Sequence, residues 1–232
     1  MELALEEVIL TRKKWSLCAR GIFSEGIHLI TGRVGSGKST LAQAIAGLLK
    51  PGSGNIAYHG IYRRTLSMQF PEYHTTGHLV RDEIRSWGLE PERICMEAGL
   101  TGRAHERSFD LSRGELKRLH MSCILAGTWD LLILDEPLST LDPVWKHRMC
   151  RKIHAHHPPI TLLFTHEQAV LPRVDYLWEI RGGCLHALGP VPEAIPSWQG
   201  APRYIEEVLN YGVVPDNITL EDAKEALCRM HA

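Results

Sequence analysis

The sequence predicts an α/β fold: a predominantly parallel sheet with an antiparallel β flank and a small helical subdomain. Three observations carry that expectation. Ile27 to Thr31, Leu131 to Leu134 and Ile160 to Thr165 are short apolar runs without clean alternation, the pattern of strands covered by helices on both faces. A glycine-rich turn and then a helix-forming stretch, Thr40 to Leu49, follow the first run. Between Gln69 and Leu111 the pattern turns helical and polar, with breaks at Gly77, at Gly88-Leu89-Glu90-Pro91 and at Gly99.

The remaining elements follow in chain order. Leu3 to Ile9, Trp15 to Phe23, and Ile56 to Tyr58 after the Pro51-Gly52-Ser53-Gly54 turn read as the antiparallel flank. Late in the chain, Tyr176 to Ile180 and Cys184 to Leu188 flank Gly182-Gly183 as a hairpin. Pro190 to Pro202 reads as a linker by its proline content. An amphipathic tail follows, with Ile205, Val208 and Leu209 on one helix face. The expected division is residues 1–200 as the main domain, with a helical subdomain about 71–125 inserted, and 201–232 as a short helical appendage.

Bulk properties exclude several classes. The 232 residues suffice for one sizeable domain with a real core. With 26 Lys and Arg against 27 Asp and Glu and no basic block, direct nucleic-acid binding is not expected. No apolar run approaches the ~18 residues of a membrane span, and the acidic start lacks the charged region of a signal peptide. Six scattered cysteines without a C-x-x-C pair fit reduced thiols of a cytosolic protein better than a disulfide frame or a zinc site.

Gly32-Arg33-Val34-Gly35-Ser36-Gly37-Lys38-Ser39 matches G-x-x-x-x-G-K-[ST], between a strand and a helix that opens with Thr40. Glycines let successive backbone N–H groups curl toward phosphate oxygens, and the helix N-terminus adds positive potential there. Lys38 is expected to reach the β and γ phosphates of ATP, and the Ser39 hydroxyl to take one Mg²⁺ position. A glycine-rich turn without a ligand does not need Lys-Ser after its last glycine. Leu131 to Leu134 then run into Asp135 and Glu136, two carboxylates at the carboxyl edge of the sheet, where α/β ligands sit. Asp135 is expected on the Mg²⁺ side, and Glu136 to orient or deprotonate the attacking water. Alone, the acidic pair would as well be a turn or a helix cap. His166 ends a further apolar strand, and its distinction from the other histidines is Asp135-Glu136-Pro137 and Ser139-Thr140-Leu141-Asp142 before it.

With these residues in hand, the chain resembles the ATP-binding-cassette (ABC) ATPases over nearly its whole length. The phosphate loop, Gln69, Leu111-Ser112-Arg113-Gly114-Glu115, the Asp135-Glu136 strand, the Ser139 to Asp142 loop and His166 occur in that family's order and approximate spacing. The resemblance implies a P-loop nucleoside-triphosphatase core that pairs head to tail with a second cassette, the same chain or a different one. ATP would lie between the phosphate loop of one and the signature, Leu111 to Glu115, of the other. Ser112 and the Gly114 amide open a helix running to about Ala126, whose positive end suits a phosphate. By the same resemblance Gln69 would sense Mg²⁺ and the water, His166 would hold the γ-phosphate, and Asp142 would couple the two sites. Trp15 is the candidate for stacking on adenine, with a core or edge position as the alternative.

Gln69-Phe70-Pro71-Glu72, Glu115, and the tail from Tyr204 through Thr219-Leu220-Glu221-Asp222-Ala223 resemble the energy-coupling-factor ATPases, which drive uptake of vitamins and of cobalt or nickel. The resemblance thus implies integral membrane partner subunits, a peripheral place on the cytoplasmic face of the membrane, and a tail that adds to the dimer contact. The insertion between Gln69 and Leu111 is short for that group. Arg113 departs from the family's glycine: it either adds charge beside a γ-phosphate or points away and leaves the partner's site slower. His154-Ala155-His156-His157, and His74 with His78, invite a metal reading, but the first precedes Pro158-Pro159 in an expected surface loop. The rival functions are a cassette acting on nucleic acid or ribosomes, whose usual coiled-coil insertion or second cassette is missing, and a nucleotide-gated module that does not turn over.

Overall fold

The computed structural model describes residues 1–12 and 15–230, so the last two residues of the expected appendage lie outside it. Among the described residues nine strands form one sheet: β1 (Glu2–Arg12), β2 (Trp15–Phe23), β3 (Gly26–Gly32), β4 (Ser53–His59), β5 (Arg64–Ser67), β6 (Leu131–Asp135), β7 (Ile160–Phe164), β8 (Tyr176–Arg181) and β9 (Cys184–Pro190). Their order is β4-β1-β2-β9-β8-β3-β7-β6-β5. The five strands from β8 to β5 are mutually parallel, and β1 pairs antiparallel with both β2 and β4, as the sequence predicts. Strand β5 is too short and too polar at its start to announce itself. It forms because Leu66 and Ser67 pair beside the strongly apolar β6.

The central strands lack polar alternation because both faces are covered. On one face Ile27, Leu29, Leu132, Leu134 and Leu163 join a core with Met149 and Ile153 of helix α5 (Pro143–Ala155). On the other, Ile30, Leu131, Ile133, Leu162 and Phe164 meet Leu41 and Ile45 of helix α1 (Lys38–Ala46) and the flank strands. Helix α1 stops at Ala46 rather than running to Leu49, because Gly47 turns the chain with φ 84°. Helices α2 (Val80–Ser86), α3 (Pro91–Ala98) and α4 (Arg113–Ala126) enclose a separate small core of Val80, Ile84, Ile94, Leu116 and Leu119.

Three expectations are corrected here. The Pro190 to Pro202 segment is a folded wall, not a linker: Ala194, Ile195, Trp198 and Ala201 are buried in the main core. Its apolar residues outweigh its prolines, and the Trp198 indole N–H donates to Thr31 Oγ1 at 3.0 Å. Helices α6 (Arg203–Asn210) and α7 (Leu220–Met230) continue that wall, with Ile205, Val208, Ile218, Ala223 and Ala226 in the same core. The cysteines are not all reduced: Cys18 and Cys184 are joined as a disulfide with Cα atoms 4.6 Å apart. They lie 166 residues apart in sequence, and only the side-by-side approach of β2 and β9 brings them together. Finally, His154 sits in the last turn of α5 rather than in a loop. Among the described residues no cluster of three or more potential metal ligands forms.

Candidate functional site

The loop Gly32 to Ser39 leaves β3 and enters α1 through Gly37, whose φ of 104° belongs to glycine. A Cβ there would also lie 2.0 Å from Cζ2 of Trp15, so the first residue of β2 covers the end of the loop. Lys38 is buried, and its Nζ donates to the carbonyls of Gly32 at 2.8 Å and Arg33 at 3.3 Å. Burial lowers the affinity of this amine for its proton, while Glu136 and then Asp135 pull the other way. The Ser36 hydroxyl is buried without a partner among the described residues.

Parallel pairing of β3, β7, β6 and β5 brings four strand ends to one edge. Asp135 ends β6, Gln69 lies two residues beyond β5, and His166 two beyond β7. Arg12, Trp15, Val34, Gly35, Gly37, Lys38, Ser39, Thr40, Gln69, Glu136 and His166 line one cavity of about 350 Å³. A larger space of about 790 Å³ shares Trp15, Val34, Gly35 and His166 with it and reaches Arg33, Ser36, Glu179 and Gln199.

The carboxylates are held differently. Asp135 is buried and its Oδ1 has no hydrogen-bond partner among the described residues. Desolvation raises its pKa, opposed by the adjacent Ser39 hydroxyl and by Lys117 and Lys38, and assisted by Glu136. Glu136 is 5% exposed and sits at φ 49°, left-handed backbone that glycine adopts more readily. Its Oε2 accepts from Thr165 Oγ1 at 2.9 Å, and its Oε1 from the His166 amide at 3.0 Å.

The signature residues stand elsewhere. Ser112 caps α4, accepting from the Glu115 amide at 3.3 Å, while Glu115 accepts from the Ser112 amide at 2.9 Å, a capping box. These bonds to Ser112, and the Arg103 guanidinium, hold the Glu115 carboxyl down at about 2. Gly114 abuts the Thr140 carbonyl, 3.0 Å from where a Cβ would be. Asp142 caps α5 by accepting from the Trp145 amide at 3.0 Å. None of Ser112, Gly114, Glu115 and Asp142 lines the cavity of the phosphate loop in the same chain. Arg113 is exposed and pairs with Glu72 of its own chain at 3.3 Å.

The residues present suit a nucleotide with a hard cation. Asp135 offers an unpartnered buried carboxylate oxygen beside the Ser39 hydroxyl, both oxygen donors of the kind Mg²⁺ takes. The loop offers helix N-terminal amides and a buried lysine to polyphosphate. Three neighbours were not foreseen: Thr165 on Glu136, His74 accepting from the Met68 amide at 2.9 Å, and Lys117 under Gln69. A lysine inside the apolar stripe Leu116, Leu119 and Ile124 of a helix was the legible signal for the last. His74 is turned inward and stacked on His120, which takes it from the metal reading with His78.

The sequence model of the ABC transporter family matches residues 21–139. The energy-coupling factor transporter ATP-binding protein EcfA2 of Caldanaerobacter subterraneus subsp. tengcongensis is 30% identical, over 86% of this chain and 84% of that protein. EcfA1 of Bacillus subtilis is 30% identical over 72% and 68% respectively. Among solved structures, a cobalt transport ATP-binding protein (cbiO-2) superposes with a TM-score of 0.66 at 25% identity, over 83% of this chain and 80% of that one.

Proposed function

Because the chain belongs to the ABC transporter family and is an ATP-hydrolysing subunit of it, we propose that it powers an energy-coupling-factor-type importer. The cargo would be a vitamin or a transition-metal ion, moved by membrane partner subunits while the chain sits peripherally on the cytoplasmic face. The energy-coupling and cobalt-transport relatives support that subfamily. The observation that carries the enzymatic reading is the placement of Lys38, Gln69, Glu136 and His166 around one cavity, with Asp135 buried next to Glu136 in sequence.

In this reading Gly32 to Thr40 wrap the phosphates, and Lys38 exchanges the Gly32 and Arg33 carbonyls for β and γ oxygens. Ser39, Asp135 and Gln69 would hold Mg²⁺, which when bound would neutralise phosphate charge. Glu136 orients the attacking water and takes its proton on a carboxylate oxygen. His166, half exposed, holds the γ-phosphate. Trp15, already against Gly37, stacks on adenine.

Ser112, Gly114, Glu115 and Asp142 are remote from this cavity, and that supports their use in trans on the ATP of a second cassette. Residues 1–200 form the ATPase domain, with the insertion at about 71–125, and the tail from residue 201 adds to the ATPase–ATPase contact. ATP then closes the dimer and hydrolysis opens it. Two measurements test the reading: Mg²⁺-dependent hydrolysis by wild type against Glu136→Gln, and the membrane proteins that co-purify with the chain. Equal, near-zero rates in both forms would favour a nucleotide-gated module. Co-purification with ribosomes or nucleic acid instead of membrane subunits would sink the importer.

A further inference from the structure

Lys117 is wholly buried in the middle of α4, yet no carboxylate of the described residues lies within 4 Å of its ammonium group. Taking an ammonium out of water costs several kcal/mol unless hydrogen bonds and nearby charge offset it. Its Nζ instead donates to two successive carbonyls, Met68 at 3.2 Å and Gln69 at 3.2 Å. The more distant Asp135, Glu136 and Glu72 supply the favourable field, while burial dominates and pulls its pKa down to about 8.

The same short segment is tied to α4 at two further points. The Met68 amide donates to Nε2 of His74 at 2.9 Å, and the His74 ring stacks on His120 of α4 with centroids 4.4 Å apart. Glu72 meets Arg113, the first residue of α4, at 3.3 Å. Met68 is thus gripped at both its N–H and its C=O and Gln69 at its C=O, and each of these grips leads to the signature helix. We propose that Lys117 is a positioning residue for Gln69: it fixes the two carbonyls that aim the Gln69 side chain at the cavity, and so makes the position of α4 felt at the hydrolytic site. This rests on the reading of Gln69 as a catalytic residue.

Filling the core gives no reason for an ammonium at this position, since a methionine of similar length would fill the volume without a charge to desolvate. That comparison defines the test. In the full-length chain, Lys117→Met, Lys117→Arg, Gln69→Ala and the double variant Lys117→Met/Gln69→Ala are compared for kcat, KM and affinity for a fluorescent ATP analogue. The expected result is a loss of about tenfold to a hundredfold in kcat for Lys117→Met, the scale of a displaced catalytic group. Nucleotide affinity stays within about threefold, Lys117→Arg restores most of the rate, and the double variant is no slower than Gln69→Ala. Wild-type kcat in Lys117→Met, losses that multiply in the double variant, or affinity falling in step with kcat would each overturn the positioning role. If Gln69→Ala itself hydrolyses at the wild-type rate, the reading of Gln69 fails, and this inference with it. A slow Gln69→Ala beside a fast Lys117→Met removes the inference alone.

Discussion

Oε1 of Glu136 lies 2.6 Å from Nδ1 of His166. The contact joins the two side chains expected to handle the attacking water and the γ-phosphate. Strand β7 creates it, since the Glu136 amide donates to the Phe164 carbonyl at 2.8 Å and so sets β6's end beside the chain leading to His166. Glu136 holds left-handed backbone there, a costly conformation maintained by Thr165, His166 and Phe164 together. Glu136→Gln keeps the shape and removes the base. Turnover is expected to fall about a hundredfold or more while ATP binding persists. Single-turnover hydrolysis beside equilibrium nucleotide binding checks this, and a parallel loss of binding would contradict it.

Gly37 carries two independent constraints, its φ of 104° and the Trp15 ring where a Cβ would go. Gly37→Ala is therefore expected to abolish ATP binding. It should also destabilise the fold by about 1–3 kcal/mol through backbone strain and overpacking. Trp15→Ala in the same background should recover part of the stability but not the binding. Urea titrations of the two variants read the first effect, and nucleotide titrations the second.

Much of this arrangement was legible in the sequence, for reasons that differ by residue. Lys38, Ser39, Asp135 and Glu136 could be read because each sits at a fixed offset from a glycine turn or from the end of an apolar run. The parallel strands were readable because burial on both faces leaves no polar alternation. Cys18 and Cys184 were not readable, because strand adjacency rather than spacing pairs them. The Trp198 wall was hidden by its prolines, which signal a linker and a well-packed irregular segment alike. For Lys117 the neighbouring Leu116, Leu119 and Ile124 hint at burial, but one lysine in a helix is ordinarily solvated, and its role becomes visible in the approach of Met68 and Gln69.

Arg113 stands where the family has glycine, but its side chain is 74% exposed and reaches back to Glu72. An exposed pair of this kind contributes under about 1 kcal/mol, so Arg113→Gly should barely change the melting temperature. If the side chain slows the ATP site served by this signature, the substitution raises turnover. A steady-state rate identical to wild type would show that Arg113 has no part in the chemistry.

His28 predicts a specific acid sensitivity. It is buried, its Nδ1 accepts from the Trp178 indole N–H at 3.0 Å, and its Nε2 faces the Ser24 carbonyl at 2.8 Å. Those partners fit one neutral tautomer. Burial lowers the ring's pKa from 6.5 to about 4, against smaller opposing effects of Ser24 and Asp175. Because the unfolded ring takes a proton below pH 6.5 while the folded one resists, stability is full above 6.5 and falls as pH drops toward 4. The loss reaches roughly 3 kcal/mol at pH 4. Urea midpoints between pH 7 and 4 should slope less in His28→Gln than in wild type, whatever the offset between the two curves. Parallel slopes would rule the ring out.

The tail offers the sharpest contrast between an attached helix and a structural one. Ile205 is wholly buried against the main core, and the Tyr204 hydroxyl donates to the Ile218 carbonyl at 2.8 Å, which locks α6 to the approach of α7. A segment serving only as a dimer contact could be truncated with the monomer left as stable as before. Here Ile205→Ala opens a cavity in the core that also holds Ile195 and Trp198 and is expected to cost about 2–5 kcal/mol. Removal of residues 201–232 should cost more, since it also takes Val208, Ile218, Ala223 and Ala226 out of the core that holds Leu29 and Leu163. Denaturant unfolding at low protein concentration, where dimerisation contributes nothing, isolates the monomer's stability. A truncated chain with an unchanged midpoint would return the tail to the status of an appendage.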